Sequence, residues 1–89
     1  MAAPPVQLLD VLLFASAADA FGAPQVRLAV PLGATAAEVR EALFAAAREA
    51  TGRVLPAASR LAVNQRFAAP EQPVAPGDEL ALIPPVAGG

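Results

Sequence analysis

The segment from Thr35 to Gly52, TAAEVREALFAAAREATG, carries the strongest helix signal in the chain, and the apolar runs on either side of it are of strand length. Thr35 and Glu38 stand at capping-box spacing, and Gly52 sits where a C-terminal cap belongs. The apolar stripe runs Val39, Leu43, Ala46 or Ala47 and Ala50, while Arg40, Glu41, Arg48 and Glu49 fall on the polar side. One amphipathic helix calls for one sheet face to cover.

Strand patterns supply that face. LLDVLLF, residues 8–14, alternates so that Leu9, Val11 and Leu13 point to the core and Asp10, Leu12 and Phe14 point away. The second set carries two large apolar side chains, so the strand is either covered on both faces or presents Leu12 and Phe14 to a partner. The short turn ASAADAFG closes at Gly22, and QVRLAV, residues 25–30, returns as a second strand. RLAVNQRFA reads as a hairpin centred on Asn64 and Gln65, with Gln in the place where such turns favour Gly. Pro70, Pro73 and Pro76 mark a loop that ends in the turn PGDE. Leu80–Ile83 forms the last strand, Leu80 and Leu82 on one face, Ala81 and Ile83 on the other, and Pro84-Pro85 stops it. These elements predict one α+β domain over residues 8–83, a mixed sheet packed on one side by the main helix. Residues 1–7, with Pro4-Pro5, read as a loose extension, and residues 84–89 as a tail.

At 89 residues there is room for one core. A hydrophobic share of 56% against 16% charged residues excludes disorder, yet much of that share is alanine, so the core must rest on Leu, Val, Ile and Phe. The net charge of -2 provides no basic field for nucleic acid. The first apolar stretch is broken by Asp10 and Asp19 and lacks a basic leader, which fits neither a signal peptide nor a membrane span. A cytoplasmic protein is expected. The chain has no His, Lys, Tyr, Trp or Cys. A Ser/His/Asp arrangement, a catalytic thiol and a disulfide framework are therefore excluded, and a metal site would need scattered carboxylates alone. Chemistry must come from something other than a side-chain active site.

The ending PGDELALIPPVAGG points to that something. With the opening strand VLLFA and the hairpin region AVNQ, it resembles the molybdopterin synthase small subunit family of ubiquitin-like sulfur carriers. Terminal Gly-Gly also occurs in the sister carriers for thiamine and cysteine, and the Pro-Pro before it favours the molybdopterin branch. The chain departs from the family in its longer N-terminus and in AADAFG. The resemblance implies a β-grasp fold and a carrier that is no catalyst by itself. It implies that a partner enzyme uses ATP to adenylate the Gly89 carboxylate, that sulfur replaces the adenylate, and that the thiocarboxylate is delivered inside the large synthase subunit to a pterin precursor. It also implies a heterotetramer with that subunit, and no bound cofactor.

Physical chemistry suits the tail Pro84, Pro85, Val86, Ala87, Gly88 and Gly89 to this task. Gly88 and Gly89 lack Cβ atoms and pass through a channel too narrow for side chains. Six extended residues reach at most roughly 20 Å, enough to enter a partner's site while the body stays outside. A terminal carboxylate, with a pKa near ~3.5, is ionised at neutral pH and needs a leaving group before it is an electrophile. Alternation places Leu12, Phe14 and Ile83 opposite the helix-covered face, beside the tail, as the expected partner interface. A ubiquitin-like modifier would equally need an activated terminal glycine, and a plain binding module with an idle end is the third reading.

Overall fold

The computed structural model describes residues 5–85. Strand β1, Val6–Leu13, is followed by the short helix α1, Ala15–Phe21, then β2, Gln25–Pro31, and the main helix α2, Ala36–Thr51. Strands β3, Arg60–Val63, β4, Arg66–Phe67, and β5, Leu80–Ile83, complete one five-stranded sheet in the order β2-β1-β5-β3-β4. The first and last strands are parallel neighbours at its centre, with Val11 opposite Leu80 and Leu13 opposite Leu82, and the other pairings are antiparallel. The α+β arrangement read from the sequence is therefore present.

Alternation on the sheet and the stripe on α2 meet in one core. Leu9, Val11 and Leu13 of β1, Leu28 and Val30 of β2, Leu61 and Val63 of β3, and Leu80 and Leu82 of β5 pack with Val39, Leu43 and Ala47 of α2. Leu43 is fully buried, and burial of one leucine contributes about 1.5–3 kcal/mol. Ala50, expected on the stripe, is exposed. It lies in the last helical turn, next to the Gly52 cap, where no neighbour covers the direction its periodicity dictates. α1 adds Ala17 and Ala20 to the core and ends at Gly22 in the left-handed conformation.

Val6 and Gln7, read from the sequence as part of a loose extension, belong to the sheet. β1 begins at Val6, and Gln7 is 5% exposed. Its Nε2 donates to the carbonyls of Pro31 and Val74, each at 3.2 Å, so the strand start is tied to the end of β2 and to the loop before β5. Pro5 directly precedes the strand, a position where a proline is tolerated.

The head of α2 shows why its loop is proline-rich. The Ala36 N–H donates to the Gln72 carbonyl and the Ala37 N–H to the Pro70 carbonyl, at 2.8 and 2.9 Å. The Glu38 N–H donates to Thr35 Oγ1 and the Thr35 N–H to Glu38 Oε1, completing the capping box. The first three helical N–H groups are thus all satisfied. The Glu38 carboxyl is held below its ordinary value of 4.5, first by the Thr35 N–H and then by the Thr35 hydroxyl. The Asp78 carboxyl lies below its ordinary 3.8, first through the Ala75 N–H and then through the Asn64 side chain. A carboxylate whose folded-state pKa is depressed stabilises the fold above its unfolded-state value, and that contribution is lost as pH falls through the folded one. The melting temperature should therefore drop as pH falls from about 5 to about 3, and less steeply in the variant Glu38→Gln/Asp78→Asn, which removes both titrating groups and gives up one of the two acceptor oxygens at position 78. Equal slopes in both proteins would contradict this assignment.

Candidate functional site

The helices cover one face of the sheet, and the other face is open. Register places Leu12 opposite Ala81, Ala81 opposite Ala62, and Ala62 opposite Phe67, one row across four strands. The next row toward the strand ends holds Ile83 opposite Arg60. Phe14 follows Leu13, the partner of Leu82, and so falls beside Ile83. Apart from Arg60, these side chains line a depression of about 390 Å³ together with Gln65 and Glu79. Leu12 is 39% exposed and Phe14 50%, and neither joins the core cluster. Of the two readings left open by the sequence, coverage of the strand on both faces is not found within this chain, where Leu12 and Phe14 stay exposed. Leu12, Phe14 and Ile83 are brought together as expected from alternation.

The hairpin at one edge of this face is built by polar clamps. Asn64 and Gln65 both have positive φ, 52° and 68°, as a two-residue hairpin of the primed type requires. Asn64 Oδ1 accepts from the Glu79 N–H at 2.9 Å and its Nδ2 donates to Asp78 Oδ1 at 3.1 Å. Gln65 Nε2 donates to Glu79 Oε1 at 3.3 Å, which gives the non-glycine residue a partner for its side chain. The turn PGDE is thereby latched to the hairpin, with Gly77 at φ 91°.

At the opposite end the tail leaves the body. Pro84 is buried and Pro85 exposed, so Pro84, read from the sequence as the first residue of the tail, packs with the body. Pro84 shares a face with Leu80 and Leu82, which explains its burial. Val86, Ala87, Gly88 and Gly89 lie outside the described residues. Beside the tail root two local rules are broken in succession. Phe14 is the N-cap of α1 and offers no side-chain hydrogen bond, and Ala15 has φ 48°, a left-handed conformation that costs an alanine about 1–2 kcal/mol.

Sequence reasoning missed Phe67, Ala62, Ala81 and Arg60. The Arg60 guanidinium carbon lies 3.9 Å from the centre of the Phe67 ring. The available signal was the hairpin itself, since a turn at Asn64-Gln65 pairs Ala62 with Phe67 and puts the aromatic ring on the open face. Next to this apolar area Arg27 and Asp10 form an exposed ion pair at 3.0 Å. Among the described residues no group of three or more carboxylates is placed to hold a metal ion, and no helix is long and apolar enough to cross a membrane.

Comparison with known proteins gives this geometry a context. The ThiS family profile matches residues 11–89. The chain is 34% identical over 84 residues to a molybdopterin synthase sulfur carrier subunit of Arabidopsis thaliana, covering 91% of this chain and 82% of the relative. It is also similar to the crystal structure of small archaeal modifier protein 1 of Haloferax volcanii, with 34% identity, a TM-score of 0.70, and coverage of 89% and 98% of the two chains. A putative molybdopterin converting factor subunit 1 of Pyrococcus furiosus shares the fold at 22% identity and a TM-score of 0.73, with the same coverage. A match over nearly the whole chain, on a β-grasp sheet with a free face and a terminal Gly-Gly, makes this protein a member of the ThiS family of ubiquitin-like sulfur carriers and a homologue of the molybdopterin synthase sulfur carrier subunit.

Proposed function

We propose that this chain carries sulfur as a C-terminal thiocarboxylate for molybdenum cofactor biosynthesis. The observation that carries the reading is the 34% identity to a molybdopterin synthase sulfur carrier subunit over 91% of the chain. The Gly89 carboxylate attacks the α-phosphate of ATP on an adenylating partner, releasing pyrophosphate and leaving an acyl adenylate. A sulfur donor then displaces AMP to give the thiocarboxylate. Inside the large synthase subunit that sulfur passes to the pterin precursor, and hydrolysis returns Gly89 to the carboxylate.

This chain's residues supply delivery. Five residues, from the exposed Pro85 to Gly89, can reach at most roughly 17 Å if extended, which suits a recessed site. Pro85 limits the freedom lost when the tail is inserted. Leu12, Phe14 and Ile83, beside the tail root, form the docking face for the large subunit and, in turn, for the adenylating enzyme.

One observation favours a second reading, protein modification. Small archaeal modifier protein 1 is equally 34% identical, and both uses need an activated terminal glycine. Intact mass measurement decides between them after incubation with the adenylating enzyme of the same source, ATP and a sulfur donor. A gain equal to replacing one oxygen by sulfur is expected. An amide-linked adduct without any thiocarboxylate would replace the carrier reading by the modifier reading, and an unchanged mass would refute both.

A further inference from the structure

The floor and the rim of the open face differ in a way that a flat apolar patch does not need. The centre of the depression is floored by two alanines, Ala62 and Ala81, on adjacent strands. Its walls are Leu12, Phe14, Ile83 and Phe67, all far larger. Small residues in the middle and large ones around them turn a sheet surface into a socket. On the tail-root side stands Arg60, whose guanidinium lies over the Phe67 ring at 3.9 Å. A guanidinium held over a ring keeps N–H donors that can meet a carboxylate. Among the described residues no acid lies within ion-pair distance of Arg60 and no acceptor takes its side-chain donors. On the opposite rim Glu79 holds a negative charge, accepting from Gln65.

We propose that the socket receives one large apolar side chain of the docking protein, and that Arg60 pairs with a carboxylate presented beside that side chain. This rests on the reading of the open face as the docking surface and adds the chemistry that the partner must show there. The occupant is a protein side chain because the recess is open, apolar and small, and because the charge left unmet at its rim is positive. Rim charges of opposite sign also give docking a direction. The partner's acid faces the tail root, while a reversed pose sets that acid against Glu79 and is disfavoured by like-charge contact. Docking in this sense keeps the emerging tail on the side where the partner's recessed site must lie.

The test is titration of the large synthase subunit of the same source at two salt concentrations, with far-UV dichroism and a melt of each free variant. Ala81→Phe fills the socket and should weaken binding by about 30-fold or more, the range of a lost interface anchor. Ala81 is only half-buried and points away from the core, so the free protein should melt as the parent does. Arg60→Glu should weaken binding by about tenfold or more and remove much of its salt dependence, whereas Arg60→Lys should keep the salt dependence with a smaller loss. Arg60 is exposed, so its variants remain informative even if Ala81→Phe misfolds. Binding within about twofold of the parent for both Arg60→Glu and a folded Ala81→Phe, with Phe14→Asp defective, overturns this proposal and leaves the docking face standing. Parent-like binding by Phe14→Asp as well overturns both.

Discussion

Removing Gly89, or adding one residue after it, is expected to abolish thiocarboxylate formation completely while the melting temperature stays within about 3 °C of the parent. The end group is the reactant, so its loss cannot be made up by any side chain in a protein without Cys, His or Lys. An added residue moves the carboxylate by up to about 3.5 Å and puts a Cβ where a glycine was required. Stability has a separate origin. The core closes with Leu80, Leu82 and the buried Pro84, and changes outside a core stay within about 0.5 kcal/mol, which is a few degrees for a domain of this size. Intact mass after reaction and a thermal melt check the two halves. A truncated chain that still gains sulfur would remove the basis of the carrier reading, and one that melts far below the parent would place the tail in the fold.

Phe14→Asp is expected to weaken binding of the large subunit by about 30-fold or more, because a central aromatic anchor carries at least about 2 kcal/mol of such an interface. The same substitution should leave the free protein as stable as the parent or slightly more so. Phe14 is the N-cap of α1 with φ -119° and ψ 147°, and its side chain makes no cap hydrogen bond. Aspartate is among the preferred residues at that position and accepts from the first helical N–H groups. Titration calorimetry and a melt separate the outcomes. Unchanged affinity would dispose of Phe14 as an anchor, and a large drop in melting temperature would show that its half-exposed ring supports the fold.

That opposition between local preference and observed residue bears on how far the sequence could be read. Where local and global demands agree, patterns sufficed. Thr35 and Glu38 gave the head of α2, Gly22 and Gly52 gave helix ends, and the alternation of Leu9, Val11 and Leu13 gave the buried face of β1. Misreadings arose where the answer depends on distant chain. Gln7 is buried because the Pro31 and Val74 carbonyls need its amide, a fact spread over 67 residues of separation. Ala50 fits the helical stripe but has nothing to pack on. Phe67 sits in a strand of two residues, too short for alternation, so its face is set by pairing with Ala62. Of the candidate site, the gathering of Leu12, Phe14 and Ile83 on one face was legible. Its socket was not, because alanines count as neutral in any pattern and become a floor only when the register sets Ala62 beside Ala81.

The central place of β5 has a consequence for synthesis of the chain. Leu80–Ile83 is the last strand to be made, yet it lies between β1 and β3 in the sheet. Pairing of Val11 with Leu80 closes a long loop, so the sheet cannot be completed early by local contacts and must await synthesis of β5. A chain cut short before β5 lacks the middle of its sheet, with β1 and β3 left as unpaired edges, and displays neither Ile83 nor the socket floor at Ala81. The open face and the root of the tail are thus completed in a single event, when β5 enters the sheet.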